Sequence, residues 1–112
     1  MSNSASDMAA SAAAPVFAAL GDATRLALVA RLCDGQTRSI AQLTHGTGLT
    51  RQGVTKHLSV LEHARIVSCH RVGRESKFTI RPDSLSEARQ FLDRASQQWD
   101  DAILRLRMLV EE

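Results

Sequence analysis

The run Ser39-Ile40-Ala41-Gln42-Leu43-Thr44-His45-Gly46-Thr47-Gly48-Leu49-Thr50-Arg51-Gln52-Gly53-Val54-Thr55-Lys56-His57-Leu58-Ser59-Val60-Leu61-Glu62 decides the fold. Ser39-x-x-Gln42 has the form of a capping box, in which each side chain bonds the other residue's backbone N–H. It opens a short helix with Ile40 and Leu43 turned inward. Gly48 permits a sharp turn, Leu49 is expected as an apolar plug between helices, and Thr50 caps a second helix. In that second helix Val54, Leu58 and Leu61 form one stripe. With successive residues about 100° apart, the opposite face centres on Gln52, Lys56, Ser59 and His63. All are polar and none is acidic, whereas an ordinary surface helix more often mixes in acidic residues. An aliphatic back with a cationic front suits the major groove of duplex DNA.

Outward from this run, the next segment alternates. Ile66-Val67-Ser68-Cys69-His70-Arg71-Val72 and Ser76-Lys77-Phe78-Thr79-Ile80 read as two strands, with Gly73 supplying the turn. Phe78 and Ile80 are expected inward, Lys77, Thr79 and Arg81 outward. Arg71, Arg74 and Lys77 are then placed to reach phosphates or a minor groove. Their bland role is to protect a sheet edge with charge. Helix, tight turn, helix and basic ribbon are the layout of a winged helix-turn-helix. The expected class is mostly α with a small β-hairpin (α+β): five helices and a two-stranded wing.

Charge supports this layout. The chain has 112 residues and a net charge of +2. Residues 50–81 carry seven basic and two acidic side chains, residues 82–112 four and seven, and residues 1–49 three of each. A localised basic surface attracts polyphosphate and releases counterions on binding. The aromatic residues are only Phe17, Phe78, Phe91 and Trp99, too few for a platform that stacks single-stranded bases.

Residues 1–13 read as a flexible Ser/Ala-rich tail in which helix can begin near Ala9, and 14–112 as the winged domain. Pro15 opens a short helix to Leu20, and Gly21 ends it. Asp22 caps a longer helix, residues 23–34, stopped by Gly35. Leu26, Val29, Ala30 and Cys33 are spaced for its buried face, widened by Leu28 and Leu32. The tail lacks a basic start and a leucine-rich stretch, which argues against a secretion signal. No run is long and apolar enough for a membrane span. The two cysteines are expected as reduced thiols in the cytoplasm, each in a core role.

Ser84-x-x-Glu87, after Pro82, is a second capping box opening a helix to about residue 110, roughly 40 Å at 1.5 Å per residue. Leu85, Ala88, Leu92, Ala95, Trp99, Ala102, Leu106 and Leu109 step by three and four as a heptad seam, broadened by Ile103 and Val110. The first part, Leu85 to Leu92, can pack along its own domain. The surplus predicts a second copy of the chain, with Phe17, Leu92, Ala95, Trp99, Ala102, Ile103 and Leu106 at the dimer contact.

Three ordered motifs carry a family likeness. Phe17-Ala18-Ala19-Leu20-Gly21-Asp22-Ala23-Thr24-Arg25-Leu26, the segment from Gly48 to Leu61, and Arg71-Val72-Gly73-Arg74-Glu75 together resemble the opening, recognition segment and wing tip of the ArsR/SmtB family of bacterial winged-helix repressors. The likeness covers about residues 15–110. It implies a homodimer on an imperfect palindrome at a promoter, usually repressing, with its first and last helices building the dimer. It places DNA contacts at Thr50, Arg51, Gln52, Thr55, Lys56 and His57, and in the wing at Arg71, Gly73 and Arg74. Ser59 and Lys77 join them from the patterns above. On the helical wheel His57 sits beside the apolar stripe, not opposite it.

This chain departs from the family over metal. Many relatives carry Cys-x-Cys near the third helix, or Asp/His ligands along the last. Here the third helix has no cysteine and residues 82–112 have no histidine. The donors Cys33, Cys69, His45, His57, His63 and His70 do not pair at helical spacing, so neither a metal site nor a cofactor is expected. No nucleophile–base pair or phosphate loop suggests an enzyme, and Asp100 and Asp101 point apart on a helix. The expected partners are double-stranded DNA and a second copy of the chain, with no membrane. The alternative is a dimeric protein-interaction adaptor that keeps the winged fold without specific DNA binding, which the basic segment disfavours.

Overall fold

Helix α1, Ser4–Leu20, corrects the N-terminal expectation. The computed structural model describes residues 4–111, so residues 1–3 of the expected tail lie outside the described residues, while 4–13 are helical. The cause is composition. Alanine has the highest helix propensity, and Ala13, Val16 and Ala19 are buried at helical spacing. Pro15 lies inside the helix rather than at its start. It withdraws one N–H from the ladder, but its ring is exposed and the packing of Val16 and Ala19 carries the helix past it.

Asp22 caps α2, Ala23–Leu32, with its carboxylate accepting the Arg25 N–H at 3.0 Å. The buried face is Leu28, Val29 and Leu32. The expected stripe through Leu26, Ala30 and Cys33 is wrong by roughly one flank: Leu26 is 52% exposed, and Ala30 and Cys33 are also exposed. Arg25 and Arg31 flank the buried side instead, half-buried and hydrogen-bonded to backbone carbonyls.

The capping box of Ser39 and Gln42 forms as expected and starts α3, Ile40–Thr44. Thr50 caps α4, Arg51–His63, through its Oγ1 and the Gly53 N–H. The turn between them uses Gly46 at φ 79° and Gly48 at φ 74°. Leu49 is not a plug; it is 41% exposed. The turn is held instead by Arg31, whose Nη1 donates to the Leu43 and His45 carbonyls at 2.9 and 2.7 Å. That guanidinium satisfies carbonyls a short helix leaves open.

The two-stranded wing forms as expected, β2 Val67–Val72 and β3 Glu75–Ile80, and a short strand the sequence did not announce, β1 Arg38–Ser39, adds to it, so that the sheet among the described residues has the order β1-β3-β2. β1 pairs Arg38 with Phe78 and Ser39 with Lys77. A two-residue strand of polar side chains carries no periodicity to read. Asp34 grips Arg38 bidentately at 2.9 and 2.8 Å, tying the end of α2 to β1.

Helix α5, Pro82–Glu111, starts at the proline, where a missing N–H costs nothing. Ser84 is therefore inside the first turn and is not an N-cap; its hydroxyl donates to the Arg65 carbonyl. The core gathers Leu28, Leu32, Leu43, Val54, Leu58, Leu61, Ile66, Val67 and Phe78. Ala88 and half-buried Leu85 join it from α5, and Phe17 of α1 meets Phe91 edge-on at 5.8 Å. Beyond that, α5 runs out of domain to cover it. The chain measures 67 × 28 × 21 Å with a radius of gyration of 18.4 Å, against about 13 Å for a compact chain of this length.

Candidate nucleic-acid interface

Val54, Leu58 and Leu61 seat α4 on the core, and this turns Arg51, Gln52, Thr55 and Lys56 to solvent. Ser59 is half-buried one turn further along. Thr50 and Thr55 spend their hydroxyls locally. Thr50 Oγ1 accepts the Gly53 N–H at 3.0 Å, and Thr55 Oγ1 donates to the Arg51 carbonyl at 2.7 Å. Long side chains with outward polar heads are thus left to Arg51, Gln52 and Lys56. Arginine and glutamine can each make paired hydrogen bonds to a base edge.

The wing register sorts the basic residues of the hairpin. Arg71 lies opposite Ser76, Cys69 opposite Phe78 and Val67 opposite Ile80. Cross-strand partners share a sheet face, so these pairs share the face that buries Phe78 and Val67. At its outer end that face overhangs α3 and α4. There Arg74, Glu75 and Ser76 meet Arg51, Gln52 and Thr55 across a cleft of about 280 Å³, closed at its base by Ser39, Ile40 and Ala41. His70 and Lys77 pair on the opposite face. Lys77 therefore points away from the cleft, with Nζ 3.9 Å from Glu75 Oε2. It was expected outward and, with Arg71 and Arg74, in reach of phosphates; it does point outward from the core, but the two-residue alternation of the strand puts it on the face opposite Arg71. At the tip, Gly73 holds φ 64° at the first central position of a two-residue turn, where a primed hairpin turn needs glycine.

His57 is also placed elsewhere. Its Nδ1 lies 3.3 Å from Arg25 Nη1 and 3.8 Å from Asp22 Oδ2, on the flank of α4 that faces α2. The ring is taken up by the fold and is not presented with Gln52 and Lys56. The Arg25 backbone N–H beside Asp22 holds that carboxyl below the usual carboxylate range, helped by the nearby Arg25 guanidinium. Sequence reading missed Arg25 as a contact of α4, although both residues stand in the quoted motifs. It also missed Ser76 and the Ser39–Ala41 floor. The cross-strand position of Ser76 opposite Arg71 was the signal for that residue.

The residues expected at a dimer contact divide in two. Leu92, Trp99 and Leu106 are 53%, 69% and 62% exposed, and Ala95 is exposed beside them. Phe17, Ala102 and Ile103 are half-buried within the single chain, Phe17 against Phe91. Cys33 is exposed and Cys69 half-buried, which corrects the expected core role of Cys33. Among the described residues, no group of three or more His, Cys, Asp or Glu side chains is arranged to hold a metal ion. Among the described residues, no single helix is long and apolar enough to cross a membrane.

Comparison with known proteins agrees with this geometry. The chain is 32% identical over 93 residues to an HTH-type transcriptional regulator of Mycobacterium tuberculosis, covering 83% of each chain. It is 37% identical over 65 residues to an uncharacterized HTH-type transcriptional regulator of Bacillus subtilis, covering 53% of this chain and 71% of that one. Among solved structures, an ArsR-like transcriptional regulator from Rhodococcus superposes with a TM-score of 0.73 at 29% identity, over 88% of this chain and 92% of the other. No protein-family model matches the sequence.

Proposed function

Because this chain belongs to the ArsR family of winged helix-turn-helix transcriptional regulators, we propose that it is a homodimeric, sequence-specific DNA-binding repressor acting on a palindromic promoter operator in the cytoplasm. It is a regulator and not an enzyme. The observation that carries the reading is the cleft: Arg51 and Gln52 of α4 and Arg74 of the wing line one opening, with exposed Lys56 following the lining residue Thr55 on α4 and exposed Arg71 opposite the lining residue Ser76 in the hairpin. Both elements lie in the segment 50–81, whose net charge is +5. In this reading α4 enters the major groove, Gln52 and Arg51 contact base edges, and Lys56, Arg71 and Arg74 hold phosphates. The exposed apolar side of α5, through Leu92, Trp99 and Leu106, supplies the dimer contact. Two copies related by a twofold axis then address half-sites about 34 Å apart, one turn of duplex.

The test is selection of duplexes from a random-sequence pool, followed by salt titration of the winners. Lys56→Ala should weaken binding to every sequence and reduce the slope of log K against log salt by about 1. Gln52→Ala should relax preference at one position per half-site. A protein-interaction adaptor would retain DNA only weakly and without sequence preference, and that result refutes the proposal.

A further inference from the structure

Arg25 stands where three helices meet. Its Nε donates to the Ala19 carbonyl in the last turn of α1 at 2.5 Å. Its Nη1 lies 3.3 Å from Nδ1 of His57 on α4, and its own backbone N–H is held by the Asp22 carboxylate that caps α2. Arginine has donors only, so the contact with His57 is a hydrogen bond when Nδ1 offers its lone pair and the ring proton is on Nε2. His57 is one residue beyond Lys56, about 100° around the same helix. It grips the back of α4 while Gln52 and Lys56 occupy the front.

The rest of the α4 seat is apolar. Val54, Leu58 and Leu61 bury completely, but burial of aliphatic surface is non-directional. It fixes which face of α4 turns to solvent, but the last degrees of rotation about the helix axis are left to directional contacts. Rotation matters for reading bases. A helix with its side chains is about 10–12 Å across, so a turn of about 20° moves a side-chain tip by roughly 2 Å. That displacement breaks a paired hydrogen bond to a base edge.

We propose that Arg25 and His57 are positioning residues for DNA recognition: the bridge from the Ala19 carbonyl through Arg25 to His57 Nδ1 fixes the rotation of α4 relative to α1, and with it the base preference. The inference rests on the DNA-binding reading above. Asp22 completes the bridge by holding the Arg25 backbone from the N-cap. Because Ala19 belongs to a helix that packs on α5, the reading head takes its orientation from the same pair of helices that presents the exposed seam.

His57→Leu and His57→Asn test this against the duplex that the wild-type protein selects from a random pool. Asparagine places an oxygen acceptor close to the position of Nδ1, and leucine removes it. The expected result is a roughly tenfold loss of preference for the selected duplex over a scrambled one in His57→Leu. The salt slope, melting temperature and dimer dissociation constant should stay as in wild type, with most of the preference restored in His57→Asn. In the free wild-type protein at neutral pH, nitrogen NMR of the ring should show the Nε2-protonated tautomer. Wild-type preference in His57→Leu overturns the proposal, as does a proton on Nδ1. A loss that tracks lower stability and is not rescued by asparagine also overturns it, since that is ordinary packing. A wild-type protein that selects no sequence overturns the DNA-binding reading first and this inference with it.

Discussion

Replacing Trp99 with alanine tests the proposed dimer most directly. Trp99 is 69% exposed in the single chain. A tryptophan side chain buries roughly 200 Å² when covered, so about 140 Å² per copy is available to a partner. At about 25 cal/mol per Å² that is roughly 3.5 kcal/mol, of which the alanine methyl keeps about 1 kcal/mol. Two copies of the ring, related by symmetry, place about 5 kcal/mol at stake in full contact and about half that in partial contact. The dimer dissociation constant of Trp99→Ala should therefore rise between roughly 70-fold and several thousand-fold. Sedimentation velocity over a dilution series measures it. The chain has one tryptophan, so its own fluorescence gives a second readout, shifting to longer wavelength as the wild-type dimer separates. Leu26→Ala is the control, since Leu26 is 52% exposed on α2, away from the seam. A Trp99→Ala protein that dimerises as tightly as wild type, or a wild-type emission that ignores dilution through the transition, refutes the seam as the contact.

Three further substitutions probe the fold. Arg65 follows α4 at φ 61°, in the left-handed region; Arg65→Gly should raise stability by about 1 kcal/mol in chemical denaturation. Pro15 interrupts the α1 ladder, so Pro15→Ala should stabilise the chain by up to about 3 kcal/mol; a loss would mean that the proline sets a bend the packing requires. The bidentate grip of Arg38, with the Gln36 N–H, holds the Asp34 carboxyl at about 2 rather than 3.8. A depressed folded-state value means the stability it contributes is present above 3.8 and drains away as the pH falls toward about 2. Asp34→Asn should flatten that part of the stability profile, and an unchanged acid limb would show the pair contributes nothing.

Most of the architecture was legible because it is written in strong local signals. The capping residues Asp22, Ser39 and Thr50, the stripe of Val54, Leu58 and Leu61, and the alternation around Phe78 all name an element and its buried side. What escaped depends on partners distant in sequence. Cys33 and Leu26 sit on the exposed flank of α2 because polar Arg25 and Arg31 occupy half-buried ground that a hydrophobicity pattern assigns to apolar residues. The early start of α1 was hidden because alanines bury without registering as a strong stripe. At the candidate site, Gln52 and Lys56 face solvent as expected; Lys77 points outward from the core as expected but on the sheet face opposite Arg71, and His57 turns toward α2. His57 is drawn inward by Arg25, a residue 32 positions away. Lys77 is turned away from the cleft by a register that only the pairing of His70 with Lys77 and of Arg71 with Ser76 reveals.

Ser39 occupies two roles at once, the second residue of β1 and the N-cap of α3. The ribbon is thereby stitched through β3 to the residue on which the helical pair begins, and a swing of the wing would have to pull that cap apart. In the proposed dimer each protomer would then meet DNA as a stiff stamp whose two printing edges keep one spacing. Control of that proposed tool would then lie in how the two stamps are angled toward each other.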